Sequence, residues 1–473
     1  MRIEPTIGPV RLRLTRGLVQ RMIADLRRPH AFASERIGFL GVATGKADNE
    51  DLLVLGLEYQ PVADEHYVAD DSVGARIGTV AIRDVIRRVL QTGRGLVHVH
   101  LHDFPAEPRF SPQDILEQPP LVESFVRANP RLAHGMLVLT PSSAAAWIWP
   151  PAISGPVLPA QISIVGFPMT LIFPLPDQQP RQKNQRQKEL LDDRFSRQSF
   201  LGAGAQGIID RAHIGIAGLG GGGSHVAQQL GHVGFRHPRA FDGDVAEDTN
   251  LNRLIGARSS DVSMKTPKIE IAKRLYLGLL PDAEPIFFGG RWQDQPELLR
   301  GCDLVIGCVD TFAGRHELEV ACRRYGIPYI DIGMDVHQVE GAPPRMAGQL
   351  ILSMPGGPCM WCLGFLDDEK LGREAQRYGA AGGRPQVVWP NGVLASTAVG
   401  LAVELLTGWS RRSEQVVYLM YDGNTGELRP HPRLAFLPAQ PCPHYGLTPS
   451  GDPVFRPLSR TLNVGARAPD GGR

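Results

Sequence analysis

The spacing of apolar residues in the first third of the chain predicts a mixed α/β domain. Residues 10–14 alternate between apolar and polar as in a strand, and residues 18–28 repeat their apolar positions at helical spacing. Further apolar runs predict four more strands and one more helix. The strands are expected at 37–43, 52–59, 96–102 and 134–140, and the helix at 79–91. The mixed pattern continues to about residue 173.

From residue 208 the pattern changes to a regular alternation of strands and helices. Strands are expected at 213–220, 238–244, 302–310 and 328–334, and helices at 224–234, 267–279 and 316–326. Alternation of this kind predicts a parallel sheet with helices on both faces. The fold class that follows is α/β, with a mixed α/β domain in front of a doubly wound one.

A polar segment separates the two patterns. Residues 174–190 carry prolines and almost no apolar side chains, which is typical of a linker. At the other end, the last 25 residues are rich in Pro, Gly and Arg and read as a loose tail. We therefore predict domains at 1–176 and 191–448, a linker at 177–190 and a tail at 449–473. A chain of 473 residues suits two domains better than one.

Composition narrows the class of protein. Hydrophobic residues make up 42% and charged residues 21%, as in ordinary soluble proteins. The formal net charge of +1 gives no reason to expect nucleic acid or an anionic membrane as partner. The chain has no apolar run long enough to predict a membrane span, and its first residues lack a signal-peptide core. With six cysteines and no disulfide framework, we expect a cytoplasmic protein with reduced thiols.

A glycine-rich turn joins the first strand of the second half to its helix. Gly218, Gly220 and Gly223 form a Gly-x-Gly-x-x-Gly pattern. Glycines there allow a tight turn and let backbone N–H groups approach phosphates at the positive end of the helix. Asp242 ends the second strand, where an acceptor for a ribose hydroxyl is expected. Alone, this pattern also fits a dehydrogenase or a glycine-rich turn without a ligand.

Further motifs accompany the glycine-rich turn. An Arg-x-x-Arg-Gln segment precedes the first strand and contains Arg194 and Arg197. Lys268 ends a Lys-Thr-Pro-Lys segment, and Asp310 lies in Cys-Val-Asp-Thr. An acidic strand end leads into Asn-Leu-Asn-Arg, with the polar residues Asp242, Asp244, Asn250, Asn252 and Arg253. In this order the motifs resemble the ThiF/MoeB/ubiquitin-activating-enzyme family over roughly residues 190–445.

The resemblance implies a Rossmann-like domain that uses ATP to adenylate the C-terminal glycine of a ubiquitin-like protein. Arg253 and Lys268 would neutralise the triphosphate, and Asp310 would hold Mg²⁺. An arginine like Arg197 reaches the nucleotide from the partner subunit, which implies a homodimer. A dehydrogenase needs neither the Asn-Arg pair nor Asp310, although each charge taken alone could be a solvated surface ion. The other nucleotide-binding residues would be Gly218, Gly220, Gly223, Asp242, Asp244, Asn250 and Asn252.

Cysteines near the end of the chain predict a zinc site. Cys359 and Cys362 form a Cys-x-x-Cys turn, a common zinc-binding arrangement of two thiolates. Members of the family usually have a second such pair near the C-terminus, where this chain has Cys442 and His444. We therefore expect a structural Cys₃His zinc site that ties the C-terminal segment to the core. The alternative is a reduced cysteine pair without metal.

The second half lacks the cysteine nucleophile of many activating enzymes. That cysteine usually follows the first zinc pair, but residues 363–441 contain none. Cys302, Cys308 and Cys322 read as core, strand-end or helix residues. We expect the adenylate to pass directly to an external thiol, on a conjugating enzyme or a sulfur carrier. The alternative is a thioester on one of the six cysteines.

Histidines at the end of a strand predict a second metal site, in the first half. His100 and His102 lie on the same side of that strand because side chains alternate along it. Asp114, at the start of the next helix, supplies a third ligand and leaves the fourth position for water, as in hydrolytic zinc sites. Glu35, on an earlier element, could act as general base, and Ser111 could support an oxyanion.

This set resembles the JAMM (JAB/MPN) family of zinc isopeptidases over about residues 8–175. The family pattern is a distant glutamate, then His-x-His, then Ser-x-x-Asp. Asp103 stands where a proline is usual, and the gap from His102 to Ser111 is one residue longer than is common. His98 matches no ligand and is expected to be a strand residue on the same face.

The two resemblances together imply a function in ubiquitin-like conjugation, because fusions of these two types occur in bacterial operons of that kind. The first half would trim or remove a ubiquitin-like protein, and the second would adenylate its terminal glycine. An alternative is a sulfur-carrier-activating enzyme of thiamine, molybdopterin or cysteine biosynthesis. A third possibility is a scaffold whose JAMM-like half only docks the ubiquitin-like protein.

Overall fold

Two eight-stranded sheets form the framework of the protein in its computed structural model. The predicted linker, 177–190, and the predicted tail, 449–473, lie outside the described residues. The structure describes residues 8–31, 33–48, 51–70, 73–104, 107–151, 153–174, 193–376, 385–412, 415–437 and 442–445.

The first sheet is mixed and has the strand order β6-β5-β4-β2-β3-β1-β7-β8. Its strands are β1 (Val10–Thr15), β2 (Ile37–Ala47), β3 (Asp51–Pro61), β4 (Gly95–Leu101), β5 (His134–Leu139), β6 (Ala144–Trp149), β7 (Gln161–Val165) and β8 (Thr170–Ile172). The helices of this half are α1 (Arg16–Leu26), α2 (Thr79–Thr92) and α3 (Pro112–Ala128). All the strands and helices predicted from periodicity are present, and β6, β7 and β8 were not predicted.

The second sheet has the order β11-β10-β9-β12-β13-β14-β15-β16. Its strands are β9 (His213–Ala217), β10 (His237–Phe241), β11 (Ile286–Phe288), β12 (Leu304–Gly307), β13 (Tyr329–Val339), β14 (Ala342–Ser353), β15 (Tyr418–Asp422) and β16 (Glu427–Pro430). Strands β9 to β13 are parallel, as predicted, whereas β14, β15 and β16 extend the sheet with antiparallel pairings. The three antiparallel strands at this end of the sheet were not predicted.

Helices cover the second sheet. They are α4 (Ala205–Arg211), α5 (Gly221–Val233), α6 (Ser259–Ser263), α7 (Lys268–Leu279), α8 (Pro296–Arg300), α9 (Phe312–Arg324), α10 (Asp368–Gln376) and α11 (Val388–Thr407). By length and composition α11 could cross a membrane, but most of its residues are buried against α5 and β13 within the fold. An apolar helix in that position is the core helix of a folded domain.

The strand order fixes where a ligand can bind. From β9 the chain proceeds outwards to β10 and β11, and then crosses to the other side of β9 to form β12 and β13. The loops after β9 and β12 therefore leave in opposite directions and open a crevice at the carboxyl ends of these strands. Ligands of doubly wound sheets bind at this point.

The two halves are joined at the opposite, amino edge of the second sheet. Arg13, on β1, is buried and donates hydrogen bonds to the carbonyl oxygens of Arg300 (3.2 Å), Cys302 (2.8 Å) and Tyr325 (2.9 Å). These carbonyl groups lie at or just beyond the ends of α8 and α9, where helices carry partial negative charge. The guanidinium thus caps two helices of the other half.

A buried ion pair completes this junction. Asp48, which follows β2, pairs with Arg239 of β10, and its backbone N–H donates to the Glu297 carbonyl oxygen at 2.9 Å. Burial raises the pKa of Asp48, but hydrogen bonds from His213 and Arg239 outweigh that effect and hold the pKa well below its usual range. Burial also lowers the pKa of His213 to about 4. The carboxylate is therefore charged and the imidazole neutral at pH 7.

Candidate active site

A cleft opens at the carboxyl edge of the second sheet. The segments that follow β9, β10 and β12 meet there because these strands are parallel neighbours. The predicted nucleotide-binding residues that line the cleft are Gly220, Asn250, Arg253, Lys268 and Asp310. The predicted residues Gly218, Gly223, Asp242, Asp244 and Asn252 do not line the cleft.

The three predicted glycines have different roles. Gly218 has a φ of 90°, and a Cβ there would lie 2.8 Å from the carbonyl oxygen of Cys308. A Cβ on Gly223 would lie 1.9 Å from the Gly218 carbonyl oxygen. Gly220, by contrast, faces open space within the cleft lining. The first and third glycines therefore shape the turn, and the second leaves room for a ligand at the N-terminus of α5.

Asp242 and Asp244 organise the loop after β10. Asp242 accepts hydrogen bonds from the backbone N–H groups of Leu219 (2.6 Å, on Oδ2) and Asp244 (2.8 Å, on Oδ1). It thereby links this loop to the glycine-rich turn, and burial raises its pKa. Asp244 forms an ion pair with Lys268, with 2.7 Å between Oδ2 and Nζ. The lysine is thus held at the cleft by a carboxylate that is itself exposed to solvent.

Asn252 and Arg253 connect the cleft to the segment before α11. Asn252 donates from Nδ2 to the carbonyl oxygen of Gln386 at 3.0 Å. Arg253 donates to the Thr249 carbonyl oxygen and to Oδ1 of Asn252, the latter at 3.1 Å. Both protein contacts use Nη1 of Arg253, and the side chain lines the cleft. Asn252 therefore positions the arginine.

Asp310 lies at the start of α9, three residues beyond β12. Thr311 caps this helix, accepting a hydrogen bond from the backbone N–H of Gly314 at 3.0 Å. Glu374 of α10 accepts from the backbone N–H groups of Phe312 (3.1 Å) and Ala313 (2.9 Å) at the same helix end. The Asp310 side chain is exposed at the rim of the cleft. A carboxylate in that position is accessible to a hydrated Mg²⁺ ion.

A buried ion pair forms the floor of the cleft. Arg315 of α9 pairs with Asp331 of β13, and the hydroxyl of Tyr329 donates to Asp331 Oδ1 at 2.8 Å. Gln349 donates from Nε2 to Asp331 Oδ2 at 3.2 Å, and both Arg315 and Gln349 line the cleft. Burial opposes the charge of Arg315, but Asp331 outweighs it and raises the pKa of the guanidinium. The floor therefore carries a fixed cation.

Four predicted zinc ligands converge near the end of the chain. The Sγ atoms of Cys359 and Cys362 lie 3.6 Å apart, as do those of Cys362 and Cys442. Nδ1 of His444 lies 3.4 Å, 3.5 Å and 3.9 Å from the sulfurs of Cys359, Cys362 and Cys442. A tetrahedral zinc ion separates its ligand atoms by about 3.5–3.8 Å. The four side chains thus fit zinc, and its role there would be structural.

Helix α9 connects this cysteine cluster to the cleft. Glu319, fully buried, accepts from the backbone N–H of Met360 (2.8 Å) and from the hydroxyl groups of Ser353 (2.5 Å) and Tyr445 (3.1 Å). Arg323 donates to the carbonyl oxygens of Gly357 (2.8 Å) and Pro358 (2.6 Å), the two residues before Cys359. The helix that begins beside Asp310 is therefore fixed along its length by the segments that carry the cysteines.

Three predicted ligands also converge in the first half. Nε2 of His100 lies 3.2 Å from Nε2 of His102 and 3.4 Å from Oδ2 of Asp114. The distance from Nε2 of His102 to the same oxygen is 3.6 Å. Zinc held tetrahedrally by nitrogen and oxygen separates its ligand atoms by about 3.3–3.5 Å. The triangle therefore fits one zinc ion with its fourth position open, and an open position allows a metal-bound water.

Ser111 and Asp114 form a capping box at the start of α3. The Ser111 hydroxyl accepts from the Asp114 backbone N–H at 3.1 Å, and Asp114 Oδ2 accepts from the Ser111 backbone N–H at 2.7 Å. Burial raises the pKa of Asp114, but hydrogen bonds from His100 and Ser111 outweigh it and lower the pKa overall. In this structure Ser111 orients Asp114, one of the predicted metal ligands. The role of Ser111 in supporting an oxyanion remains a prediction.

Glu35 lies two residues before β2, and Asp103 lies two residues after β4. The backbone N–H of Glu35 donates to the carbonyl oxygen of Gly74 at 3.0 Å. Glu35 is not one of the three clustered ligands. Asp103, which stands where a proline was expected, forms a two-pronged ion pair with Arg27 at the end of α1, at 2.7 Å and 3.0 Å. The departure at this position thus serves to tie the loop to α1.

Comparisons with known proteins agree with the geometry of the cleft. The family model of the ThiF family matches residues 194–443, just over half of the chain. The chain belongs to the ThiF family. The model does not reach the first half, where the histidine centre lies.

Three curated relatives resemble the ThiF half. The SAMP-activating enzyme E1 of Haloferax volcanii is 34% identical over 176 residues, which are 36% of this chain and 61% of that protein. The molybdopterin-synthase adenylyltransferase of Escherichia coli is 27% identical over 243 residues, 50% of this chain and 90% of that protein. The sulfur carrier protein ThiS adenylyltransferase of Escherichia coli is 26% identical over 269 residues, 55% of this chain and 97% of that protein. The chain thus spans less than two thirds of the first relative.

Three cysteines of the ThiF half lie outside the cysteine cluster. Burial raises the pKa of Cys302 to about 12, and it raises the pKa of Cys308 and Cys322 well above the usual range of a thiol. These groups are therefore protonated at neutral pH and poor nucleophiles. The sequence prediction that they are core or strand-end residues agrees with this environment.

Some cleft residues were not predicted. Arg315 follows Asp310 by five residues, but nothing in the sequence indicated that it would form the cleft floor. Gln349 and Asn391 come from β14 and α11, far along the chain, and no local motif marks them. Arg197, predicted to act on the partner's nucleotide, is exposed and does not line the cleft of its own chain.

Proposed function

We propose that this ThiF-family protein uses ATP to adenylate the C-terminal glycine of a ubiquitin-like protein. The observation that carries the proposal is the meeting of Arg253, Lys268 and Asp310 around one cleft at the carboxyl edge of the sheet. Adenylation brings a carboxylate against a triphosphate, and both are negative. A site for this reaction needs cations that are already in position. Arg253 and Lys268 would supply these cations, and Asp310 would supply a carboxylate that binds the metal ion. The names of the relatives also support the proposal.

Some residues of the cleft would bind the phosphates of ATP, and others would neutralise their charge. The N–H groups at the start of α5 and the side chain of Lys268 would bind phosphates, and Arg253 would neutralise charge that develops on the α-phosphate. Asp310 would hold Mg²⁺, which would offset negative charge on the phosphates. The substrate carboxylate attacks the α-phosphorus, an acyl–adenylate bond forms, and pyrophosphate leaves. Arg197 would come from the partner subunit of a homodimer, where it reaches the nucleotide of this chain.

The adenylate would then pass to an external thiol. Six cysteines are present, and five contribute no free sulfur for this purpose near the cleft: three cluster with His444, and Cys302 and Cys322 are fully buried. Cys308 lines the cleft, but burial keeps its thiol protonated. This supports transfer to a conjugating enzyme in the cytoplasm, without a thioester on this chain.

The first half would be a zinc isopeptidase of the JAMM type that processes or removes the same ubiquitin-like protein. The spacing of His100, His102 and Asp114 supports a zinc ion with an open position. Bound zinc would acidify a water molecule and polarise the scissile carbonyl. Glu35, the glutamate of the JAMM pattern, would act as general base and pass the proton from that water to the leaving amine.

ATP–pyrophosphate exchange tests the first activity. Exchange that depends on a protein with a diglycine terminus is expected from the wild type. Lys268→Ala should lower the exchange rate by about 100- to 1000-fold, the usual effect of removing one group that stabilises transition-state charge. Lys273→Ala is the matched control, because it removes an exposed lysine from the same helix, α7. Equal rates in the two variants would refute the assignment of the cleft.

Cleavage of a ubiquitin-like precursor with an extended tail tests the second activity. Cleavage should stop when zinc is removed by a chelator and in His100→Ala, because two ligands do not hold a hydrolytic zinc. Exchange should continue in His100→Ala. Cleavage that survives this substitution would contradict the metal assignment. Binding of the precursor without cleavage in any condition would instead favour a docking module.

A sulfur-carrier-activating enzyme is the second candidate, because two of the relatives are named for molybdopterin synthase and for ThiS. The adenylated terminus would then be converted to a thiocarboxylate rather than conjugated. Mass spectrometry of the substrate after incubation with ATP and a sulfur donor distinguishes the two outcomes. Exchange with a panel of diglycine-ended proteins, including a ThiS-like and a MoaD-like carrier, identifies the preferred substrate.

A further inference from the structure

Two buried polar side chains lie behind the histidine centre without being among its predicted ligands. Gln118 of α3 donates from Nε2 to Oδ1 of Asp114 at 2.6 Å, and the same nitrogen lies 3.4 Å from Nδ1 of His100. His98 precedes His100 on the same face of β4 and is 4% exposed. Gln118 therefore contacts two of the three ligands, and His98 lies next to them.

Each of these side chains has a buried atom whose hydrogen bond is unmade. Nδ1 of His98 and Oε1 of Gln118 are inaccessible to solvent, and neither has a partner within the described part of the chain. Both side chains lie next to His100: Nε2 of Gln118 is 3.4 Å from its Nδ1, and the ring centroids of His98 and His100 are 5.8 Å apart. Buried polar atoms in folded proteins are nearly always paired. The two unpaired atoms are therefore the candidates to pair with each other.

The contacts of Asp114 indicate what this pair does. Oδ2 of Asp114 lies toward the two ligand histidines and accepts from the Ser111 backbone N–H at 2.7 Å. Oδ1 points the other way, to Gln118. Each oxygen thus has its own partner, so the carboxylate is held with one oxygen toward the metal position. Without the amide, nothing described in the structure would hold Oδ1, and the carboxylate could rotate.

We propose that Gln118, backed by His98, is the positioning residue of the N-terminal metal centre. Its amide nitrogen orients Asp114, and its amide oxygen accepts the Nδ1 proton of His98, which fixes the plane of the amide. The proposal rests on the zinc centre of the proposed function and adds two residues outside its ligand pattern. Partners that orient metal ligands in this way change metal affinity by about 10- to 100-fold when they are removed.

Gln118→Met tests the proposal, because methionine keeps the length of the side chain and removes its amide. The full chain is used, and the zinc of this centre is defined as the zinc lost in the His100→Ala/His102→Ala double variant. Gln118→Met should weaken zinc binding at this centre by about 10- to 100-fold in competition with a chelating dye. It should also change the visible absorption of bound Co²⁺. The melting temperature of the zinc-free protein should not fall.

Gln113→Met is the matched control, since Gln113 is exposed on the same helix and bonds to Glu117 at 3.3 Å. It should leave zinc affinity unchanged. His98→Phe keeps a ring against Phe39 and should weaken zinc binding less than Gln118→Met does, with no further loss when the two are combined.

The outcomes separate the inference from the function on which it rests. Wild-type zinc affinity in Gln118→Met would overturn the positioning role, as would a lowered melting temperature of the zinc-free variant without any change in zinc affinity. If the wild-type chain binds no more zinc than the double histidine variant, the metal centre itself is wrong, and the inference falls with it.

Discussion

The junction between the two halves gives a prediction whose size follows from the structure. Asp48→Ala removes the carboxylate that pairs with Arg239, and the two side chains are 6% and 5% exposed. Removing one partner of a buried ion pair costs about 3–5 kcal/mol, because the other charge is left without compensation. Asp48 also has a φ of 55°, and alanine in that left-handed conformation costs about 1–2 kcal/mol more than an asparagine or aspartate does. We expect a total destabilisation of about 4–7 kcal/mol.

Denaturation of the full chain by urea, followed by fluorescence and circular dichroism, measures this change. The change should appear as a lower midpoint of unfolding rather than as two transitions, because Val165, Phe167, Met169 and Leu171 of the first half also belong to the apolar core of the second. Asp48→Asn keeps the shape and tolerates the positive φ, so it should avoid the backbone part of the cost and retain the electrostatic part.

An exposed ion pair of the same half supplies the control. Asp84 and Arg87 lie one helical turn apart on α2 and are 45% and 61% exposed. Asp84→Ala should change the free energy of unfolding by less than about 1 kcal/mol. If Asp48→Ala and Asp84→Ala change the free energy of unfolding by the same amount, the buried pair does not stabilise the junction. Our reasoning about how the two halves are held together would then be refuted.

Three further predictions concern metal, pH and the missing nucleophile. Cys442→Ser should remove one zinc per chain and lower the melting temperature, measured by elemental analysis and calorimetry; unchanged zinc content would contradict the Cys₃His site. His213 has a folded pKa of about 4 and an unfolded pKa of about 6.5, so the unfolded state binds the proton first. Its contribution to stability is therefore complete above pH 6.5 and is lost as the pH falls towards 4, and His213→Gln should flatten the pH dependence of unfolding in that window. Cys308→Ala should leave ATP–pyrophosphate exchange intact. Non-reducing gels of the wild type and of this variant should look the same, because the wild type is expected to form no thioester.

Periodicity in the sequence predicted those elements that have one polar and one buried face. Helix α2 was predicted close to its observed limits because one of its faces is buried and the other is exposed. Strand β4 is buried along its whole length and was predicted from its run of apolar and histidine residues. Helix α11 was missed, since it lies between α5 and the sheet and is apolar on nearly all sides, which removes the helical period. The antiparallel strand β14 was missed because no alternation marks its exposed first part.

Site residues were predictable where a motif gathers them within a short segment. His100 and His102 share a strand, and Asn252 and Arg253 share a loop, so their spacing already indicates chemistry. Gln118, in contrast, reads as a surface residue of a helix until α3 is packed on β4. The partners Asp48 and Arg239 are 191 positions apart in the chain. Only the folded structure shows that these two charges meet.

The positions of the two proposed sites bear on how one substrate could use both. The nucleotide cleft opens at the carboxyl edge of the second sheet, while Arg13 and Asp48 attach the first half to the amino edge. Strand β9, which runs from one edge to the other, has five residues and spans roughly 15 Å. The histidine centre belongs to the first sheet, three strands away from β1, which makes the junction.

The proposed nucleotide site therefore lies at the edge of the second sheet opposite the Arg13 and Asp48 contacts. Among the described residues, the halves are held together by buried charged pairs, helix caps and the apolar residues Val165 to Leu171, which favours a fixed distance between the two proposed sites. The tail has to leave one site before it enters the other. Exchange and cleavage should accordingly have independent kinetics, each unchanged by the mutation that abolishes the other. Inhibition of cleavage by a non-hydrolysable ATP analogue would contradict this arrangement, because it would require the two sites to communicate through the junction.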